Sequence, residues 1–485
     1  MAGREDWKGG VRHRDLREWL ALVEEMGQLR RIKGAGWEKD IGLATEVLRS
    51  REGAPAGLFG SVPGFPEGYR VLVNSFGTFE RIALTLGLKH WESPRELLLE
   101  WRERQRHIEL LPYRYVKDGP VMENVQTGKD VDLHQFPAPV WHEHDKGRYI
   151  GTGSVTITKD PDTDWFNLGT YRVMVHDKKT VGFYISPGKH GRIHRDKYFA
   201  RGQRCPVVVI CGEDPLLFAA SGCELPNGVC EYDWAGGLRQ RPFDVIKGPV
   251  TGLPIPAEAE IAIEGFSYPG RGKEEGPFGE FTGYYASGSR EEPFIEVEAV
   301  YHRNDPIIVG RPPGKPPFED AKMDAFIKSA LLWDELEKAG VPDVTGVWGH
   351  LAGAVRMFWA ISIKQRYAGH ARQAGHVGAQ GRTGAYLGRY VIVVDDDIDV
   401  TDLGDVVWAL GTRSDPERSI DIIKRAWSGP LDPALPPGHK NYNSRAIIDA
   451  CRPFEWKDAF PGIVASSPER FAEGKARWEK VLFPD

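Results

Sequence analysis

The residues of this chain best suited to chemistry lie in Glu275-Gly-Pro-Phe-Gly-Glu280-Phe-Thr-Gly-Tyr-Tyr285. Two carboxylates five residues apart would fall on opposite faces of a strand and about 140° apart on a helix, so only an irregular loop can converge them. The residues between them favour such a loop. Pro277 fixes its own φ and biases Gly276 away from the α region, and Gly276 and Gly279 tolerate angles that other residues avoid. A converged pair suits general acid/base work, one carboxylate ionised and the other holding a transferable proton. A solvated glycine-rich turn is the other reading of the same residues.

Further stretches carry reactive types. Asn167-Leu-Gly-Thr-Tyr-Arg172 sets an arginine at the start of a predicted strand, where it could grip a substrate carboxylate with two hydrogen bonds or form a surface ion pair. Lys189-His-Gly-Arg-Ile-His-Arg195 reads as a basic loop with two histidines, usable for phosphate or metal, or else solvated. Glu231-Tyr-Asp-Trp-Ala-Gly-Gly237 places two acids beside small residues, as a turn does. Asp395-Asp-Asp397 follows a predicted strand and either binds a hard cation or caps the next turn. Gly378-Ala-Gln-Gly-Arg-Thr-Gly384 lacks the spacing of a phosphate-binding loop or a dinucleotide fingerprint.

These residues must be positioned by a chain of 485 residues, enough for about three domains. With 41% hydrophobic and 27% charged residues, it has the composition of a soluble globular protein. The net charge of -6, from 63 basic and 69 acidic residues, and the absence of a basic run argue against a nucleic-acid partner. Met-Ala-Gly-Arg-Glu-Asp-Trp at the amino terminus has no apolar signal core, and Val207-Val-Val-Ile210 is far too short to span a bilayer. A cytoplasmic protein with no membrane partner is expected. The five cysteines include no Cys-x-x-Cys pair, which points to reduced packing residues.

The pattern along the chain divides it into four segments. Residues 1–118 read as an α/β region: a helix with the stripe Leu16, Trp19, Leu20, Val23, Met26, an extended Arg70–Asn74, a helical pattern at Arg81–Leu86, and a helix introduced by Ser93-Pro94. Residues 119–139 look like a linker or an extended arm within the second segment, 119–318. From Tyr149 the period becomes two, with strands predicted at Ser154–Thr158, Tyr171–Val175, Val181–Ser186, Pro206–Gly212, Ala259–Glu264 and Phe294–Tyr301, the mark of a largely antiparallel sheet or barrel. Residues 319–340 form a connecting helix. Residues 341–485 alternate strands (Val355–Ile363, Tyr390–Val394) with helices (near Asp405–Leu410 and Ser419–Ala426), as an α/β domain does.

The order and spacing of these stretches resemble the UbiD-type decarboxylases. The resemblance runs from Asp15-Leu-Arg-Glu-Trp-Leu-Ala-Leu-Val-Glu-Glu through Val71-Leu-Val-Asn-Ser-Phe-Gly-Thr-Phe-Glu-Arg-Ile-Ala, Asn167–Arg172, Glu231-Tyr-Asp-Trp-Ala-Gly-Gly-Leu and Glu275–Tyr284 to Val391-Ile-Val-Val-Asp-Asp-Asp-Ile-Asp. It implies a mixed α/β fold: an amino-terminal α/β region, a split-barrel flavin domain, the connecting helix and a carboxy-terminal α/β oligomerisation domain. It also implies reversible, non-oxidative decarboxylation of an aromatic, heteroaromatic or α,β-unsaturated acid with prenylated FMN as electron sink. Arg172 would then lie beside the substrate carboxylate, Glu275 would pair with it and Glu280 would donate the proton. Asn167, His190 and Glu231 match the positions that hold a divalent ion, manganese or magnesium, against the cofactor phosphate. Potassium accompanies that ion in the family. Tyr171, Arg172, Lys189 and Arg389 are the further cofactor-binding candidates, Arg389 standing where some relatives have lysine.

The same resemblance implies a homodimer or larger homo-oligomer, up to a hexamer, and a flavin prenyltransferase that supplies the cofactor. Ser186, Lys189 and the segment Leu431–Asn441 are candidate pocket residues. Three alternatives stand beside this reading: a carboxylase running the reaction backwards, an FMN-dependent reductase of the split-barrel class, and a non-catalytic subunit. Hydride transfer needs no Arg172/Glu275/Glu280 trio, and a non-catalytic subunit needs neither the trio nor the ligand set.

Overall fold

The structure, a computed structural model, describes residues 10–483 except 90–92, 224, 287, 317, 437 and 440. The amino-terminal residues inspected for a signal core lie outside the described residues, as do Pro437 and Lys440 of the Leu431–Asn441 segment.

The predicted apolar stripe forms the helix Leu16–Glu25, which buries Leu16, Trp19, Leu20 and Val23. Asp15 caps it by accepting from Glu18 N at 2.8 Å. The helix packs on a four-stranded sheet ordered Leu29–Lys33, Ala56–Gly60, Arg70–Val73, Ile307–Gly310. The fourth strand arrives from far along the chain and pairs in parallel with Arg70–Val73. Backbone hydrogen bonds therefore stitch the amino-terminal region to the end of the central one.

The period-two region forms a nine-stranded sheet whose path is Arg148–Gly151, Val173–Asp177, Thr180–Gly182, Phe294–His302, Ile261–Ser267, Cys205–Cys211, Ser154–Lys159, Phe166–Gly169. Its pairings are antiparallel. The edge strand Arg148–Gly151 returns toward Cys205–Cys211, curling the sheet into a half-barrel. Within the 119–139 stretch, Asn124–Thr127 adds to this sheet as a ninth strand on Phe294–His302. The run Val207-Val-Val-Ile210 shows how the sheet is buried. Successive side chains face opposite ways, so Val207 and Val209 join one apolar cluster with Ile263 and Ile295, while Val208 and Ile210 join another with Ile157 and Leu216. A strand covered on both faces has no polar alternation to show.

The connecting helix, Glu319–Lys338, is about 30 Å long and buries Phe326, Ala330, Trp333 and Leu336. Beyond it lies a five-stranded sheet ordered Val344–Gly349, Phe358–Ile363, Tyr390–Asp395, Tyr442–Asp449, Ile420–Trp427, covered by the helix His370–Gln380. Among the described residues no helix is long and apolar enough to cross a membrane. The five cysteines are free thiols, four of them buried.

Several local expectations are corrected. Ser419–Ala426 is an edge strand, Ile420–Trp427, and not a helix; β-branched Ile420, Ile422 and Ile423 and the pairing with Tyr442–Asp449 prevail. Lys189–Arg195 is the start of the helix His190–Ala200, held by burial of His194 and Arg195, and not a loop. Glu231–Gly237 is likewise helical, within Glu231–Arg239. Its glycines serve close approach: a Cβ on Gly236 would meet Leu111 O at 2.7 Å, and one on Gly237 would meet Glu109 O at 2.0 Å. The strand expected at Tyr171–Val175 runs Val173–Asp177, and Val181–Ser186 shrinks to Thr180–Gly182. The strand expected from Val355 begins at Phe358, because Ala354 and Val355 have left-handed backbone at φ 53° and 56°.

The amino-terminal region is also clamped to the connecting helix by charge. Arg102, on the helix Pro94–Arg106, donates from Nη2 to Asp334 Oδ1 at 2.7 Å and lies 4.0 Å over the Trp333 ring. Gln105 and Arg106 donate to the same carboxylate. Asp334→Ala leaves the buried Arg102 paired with Glu337, 2.8 Å from the same nitrogen, and should cost about 1 to 3 kcal/mol, the usual penalty for removing one partner of a buried charged group. The urea midpoint of the purified protein measures it, and an unchanged midpoint would show the clamp to be idle.

Candidate active site

The loop joining the paired strands Lys273–Glu275 and Arg290–Glu292 converges the two carboxylates. Gly276 turns the chain at φ 83°, a left-handed angle that suits glycine, and Ser289 Oγ donates to its carbonyl at 2.6 Å. Glu275 and Glu280 meet on Arg172, three residues past the end of the strand Phe166–Gly169. Arg172 Nε and Nη2 donate to Glu275 Oε1 and Oε2 at 2.9 and 2.7 Å, a bidentate pair. Its Nη1 donates to Glu280 Oε1 at 2.8 Å. Tyr149 Oη donates to Glu275 Oε1 at 3.1 Å, and its ring stacks on Phe278 with centroids 4.0 Å apart.

The two acids are not equivalent. Glu275 is 1% exposed and lies behind the guanidinium, whereas Glu280 faces the cavity. Burial, offset in part by Arg172, pushes the Glu280 carboxyl up to about 7. Burial opposes the charge on Arg172, but Glu280 and Glu275 outweigh it and hold the guanidinium above its ordinary value. One acid is thus fixed as a counter-ion and the other can carry a proton near neutral pH.

A second cluster adjoins the first. Asn167 sits in the strand Phe166–Gly169, buried, its Nδ2 without an acceptor among the described residues. Glu231 Oε2 accepts from Leu168 N at 2.8 Å, which pins this carboxylate beside Asn167. Burial pushes the Glu231 carboxyl up to about 8. His190, at the start of its helix, packs against Trp165 with ring centroids 4.9 Å apart. Tyr171 Oη accepts from Gly191 N at 3.3 Å, tying the two chain segments together. Among the described residues no three His, Cys, Asp or Glu side chains cluster, so an ion here would rely on the Asn167 amide beside one imidazole and one carboxylate. The set fits a divalent cation. A carboxylate this buried is costly to ionise without one, and amide oxygen, imidazole and carboxylate suit hard-to-borderline metals.

Both clusters open on one cavity of about 610 Å³, lined by Asn167, Tyr171, Arg172, Lys189, His190, Glu231 and Glu280. Ser186 and Leu431 of the candidate pocket residues also line it. Arg389 does not; its Nη2 donates to both oxygens of buried Asp432 at 2.6 and 2.7 Å. Asp395 and Asp397 are held by Arg413, away from the cavity. Sequence reasoning missed Asp324 and Lys328 of the connecting helix and Arg356, Tyr386 and Trp427 beyond it, all of which line the cavity. Lys328 had a visible signal, a cation four residues after an acid on an otherwise apolar helix face.

Comparison with known proteins decides the family. Models of the 3-octaprenyl-4-hydroxybenzoate carboxy-lyase N-terminal, Rift-related and C-terminal domains match residues 20–101, 114–316 and 321–450. The chain belongs to the UbiD family. A pyrrole-2-carboxylic acid decarboxylase of Pseudomonas aeruginosa is 33% identical over 92% of this chain and 93% of its own. The vanillic acid decarboxylase of Sedimentibacter hydroxybenzoicus, in closed form, superposes with a TM-score of 0.85 at 30% identity, over 97% of this chain and 99% of that one; its open form gives 0.84. The UbiD-class enzyme HmfF of Pelotomaculum thermopropionicum, in complex with FMN, gives 0.83 at 28% identity over 95% and 99%. This UbiD chain is therefore a carboxy-lyase with the mixed α/β, split-barrel fold of its family.

The trio makes a prediction that needs no ligand. Arg172→Ala leaves buried Glu275 and partly exposed Glu280 without their shared cation and should destabilise the protein by about 3 to 5 kcal/mol. Adding Glu280→Gln should recover part of that loss. Urea midpoints of the single and double variants test it; a double variant no more stable than Arg172→Ala would contradict the electrostatic account.

Proposed function

We propose that this enzyme removes carbon dioxide, with no net oxidation, from an aromatic, heteroaromatic or α,β-unsaturated carboxylic acid, using prenylated FMN. The relatives support the reading: two are decarboxylases of ring acids, and HmfF is described in complex with FMN and, in an evolved dimeric form, with prFMN. The observation that carries it is Glu280, a cavity-facing carboxyl raised to about 7 beside an arginine that a second carboxylate holds in place.

The flavin, when bound, supplies the electron sink for the pair left by departing carbon dioxide. The chain supplies the rest. Glu275 fixes the plane of the Arg172 guanidinium, and Arg172 orients the substrate carboxylate. Glu280, protonated below about pH 7, delivers its proton to the carbon that bore the carboxylate. Run backwards at high carbon dioxide, the same carboxylate takes the proton, which is the carboxylase reading. Asn167, His190 and Glu231 would hold manganese or magnesium at the cofactor phosphate, with potassium beside it, and Tyr171 and Lys189 would line the cofactor's bed. The carboxy-terminal domain would close the cavity against water and join protomers into a dimer or larger assembly.

Three outcomes are expected. Enzyme produced without a flavin prenyltransferase and given FMN alone should be inactive; full activity with FMN alone refutes the cofactor assignment. His190→Ala and Glu231→Ala should each lose metal and flavin together, read by metal analysis and flavin absorbance; normal occupancy of both would contradict the ligand set.

Glu280→Gln should lower turnover at least about a hundredfold while retaining flavin. In deuterated water the wild type should exchange the product hydrogen at the reacting carbon and the variant should not. The raised carboxyl gives the sign of the pH dependence: the donor form dominates at low pH, so the proton-delivery step should slow as pH rises through about 7. Exchange by Glu280→Gln at the wild-type rate would move the donor role to another group.

A further inference from the structure

Three chain segments far apart in sequence supply the proposed metal ligands, and one indole touches all of them. Trp165 stands two residues before Asn167, so the two side chains share a side of the extended chain. Its ring packs against His190 with centroids 4.9 Å apart and planes at 73°. Its Nε1 donates to Val229 O at 3.1 Å, two residues before Glu231. Pro226, Asn227 and Gly228, just ahead of that carbonyl, are exposed, so this bond tethers the approach to Glu231 where it leaves a surface turn. Trp165 itself does not line the cavity.

These contacts close on themselves. His194 lies one turn along the helix from His190, on the same face, and also packs against Trp165, with centroids 4.8 Å apart and planes at 87°. It is fully buried, and its Nδ1 is 3.1 Å from Thr158 Oγ1. Thr158 in turn pairs with Asn167 across the antiparallel strands Ser154–Lys159 and Phe166–Gly169. A circuit therefore runs from Asn167 through Thr158, His194, His190 and Trp165 back to Asn167, with a branch through Val229 to Glu231.

We propose that Trp165 is a positioning residue for the divalent-ion site: it fixes the imidazole plane of His190 and the approach to Glu231 before an ion arrives. This rests on the reading of Asn167, His190 and Glu231 as ligands and adds to it a residue that touches no ion. Ligands whose rotamers are locked in advance need not be ordered on binding, so affinity rises. Edge-to-face ring packing supplies that lock for an imidazole, and an indole N–H supplies a hydrogen bond in the same side chain. An aliphatic side chain would fill the space but give His190 no planar wall and Val229 O no donor. Leu168 N already pins the Glu231 carboxylate, so Trp165 contributes what that bond cannot, the placement of His190 and of the turn before Glu231.

Enzyme dialysed against a chelator, with FMN kept in excess, is titrated with manganese(II), the free ion being read by its electron paramagnetic resonance signal. Trp165→Leu should weaken manganese binding at least about tenfold, the usual loss when a residue supporting a metal ligand is removed. Trp165→Phe, which keeps a ring and loses the donor, should weaken it less. Trp359→Leu is the control for a purely structural effect. Trp359 is fully buried in the carboxy-terminal sheet, so its loss should lower the urea midpoint while manganese affinity stays at the wild-type level.

Wild-type affinity in Trp165→Leu overturns the inference, and so does an equal loss of affinity in Trp359→Leu, which would trace the effect to general loosening of the fold. Should Trp165→Leu fail to fold, Trp165→Phe decides, and wild-type affinity there overturns the inference. In each case loss of the ion from His190→Ala keeps the ligand set standing. Wild-type enzyme that binds no manganese under the same conditions would instead remove the ligand set, and this inference with it.

Discussion

The site depends on one guanidinium between two carboxylates. Arg172 is nearly buried, and burial alone would press it toward neutrality; Glu275, with two hydrogen bonds, and Glu280, with one, keep it charged. The same contact divides the labour of the acids. Glu275 spends both oxygens on the arginine and takes a further hydrogen bond from Tyr149, and it does not line the cavity. Glu280 faces the cavity, and desolvation outweighs the arginine's pull on its proton. A single cation thus creates two environments from two identical side chains, the arrangement that acid/base chemistry requires.

The central sheet explains why this trio and the proposed metal ligands are neighbours. Phe166–Gly169 is an edge strand, and an edge leaves backbone groups that need partners. Leu168 N finds one in Glu231, whose carboxylate is thereby drawn against Asn167. Three residues past the strand the chain presents Arg172. One strand end therefore feeds both clusters, and Tyr171, between them, ties the strand exit to the His190 helix.

How much of this could be read in the sequence follows from the range of the interactions. The Glu275–Glu280 loop was legible because its constraint is local: neither helix nor strand can converge that spacing, and glycine and proline sit where the turn needs them. That Arg172 would be its partner was not, since 103 residues separate it from Glu275, and only the family resemblance joined them. Glu231–Gly237 and Lys189–Arg195 were misread as turn and loop because glycine and charge were taken at face value. In the fold, the glycines admit the 109–111 backbone, and the charged segment docks as a helix. Ser419–Ala426 shows the reverse, a local helical pattern overruled by strand pairing. Lys328 lay within a helix correctly anticipated, but nothing along the chain says that this helix borders the cavity.

Arg389 bears on how the cavity is divided between domains. Its ion pair with Asp432, which also accepts from Ser428 Oγ at 2.9 Å and from Asn443 Nδ2 at 3.3 Å, fastens the segment after Trp427 to the carboxy-terminal sheet. Leu431 reaches the cavity from that fastened segment and Trp427 from the strand end before it, and Tyr386 lies against Trp427 with ring centroids 4.8 Å apart. The acid/base trio belongs to the central domain, and Lys328 to the helix between the two. Any rotation of the carboxy-terminal domain about that helix would carry the Trp427 and Leu431 wall away from Arg172 as a unit, leaving Glu280 and Arg172 in register with each other. Opening could then release a product without disturbing the group proposed to donate the proton, because the contacts that set the Glu280 carboxyl all lie in the central domain.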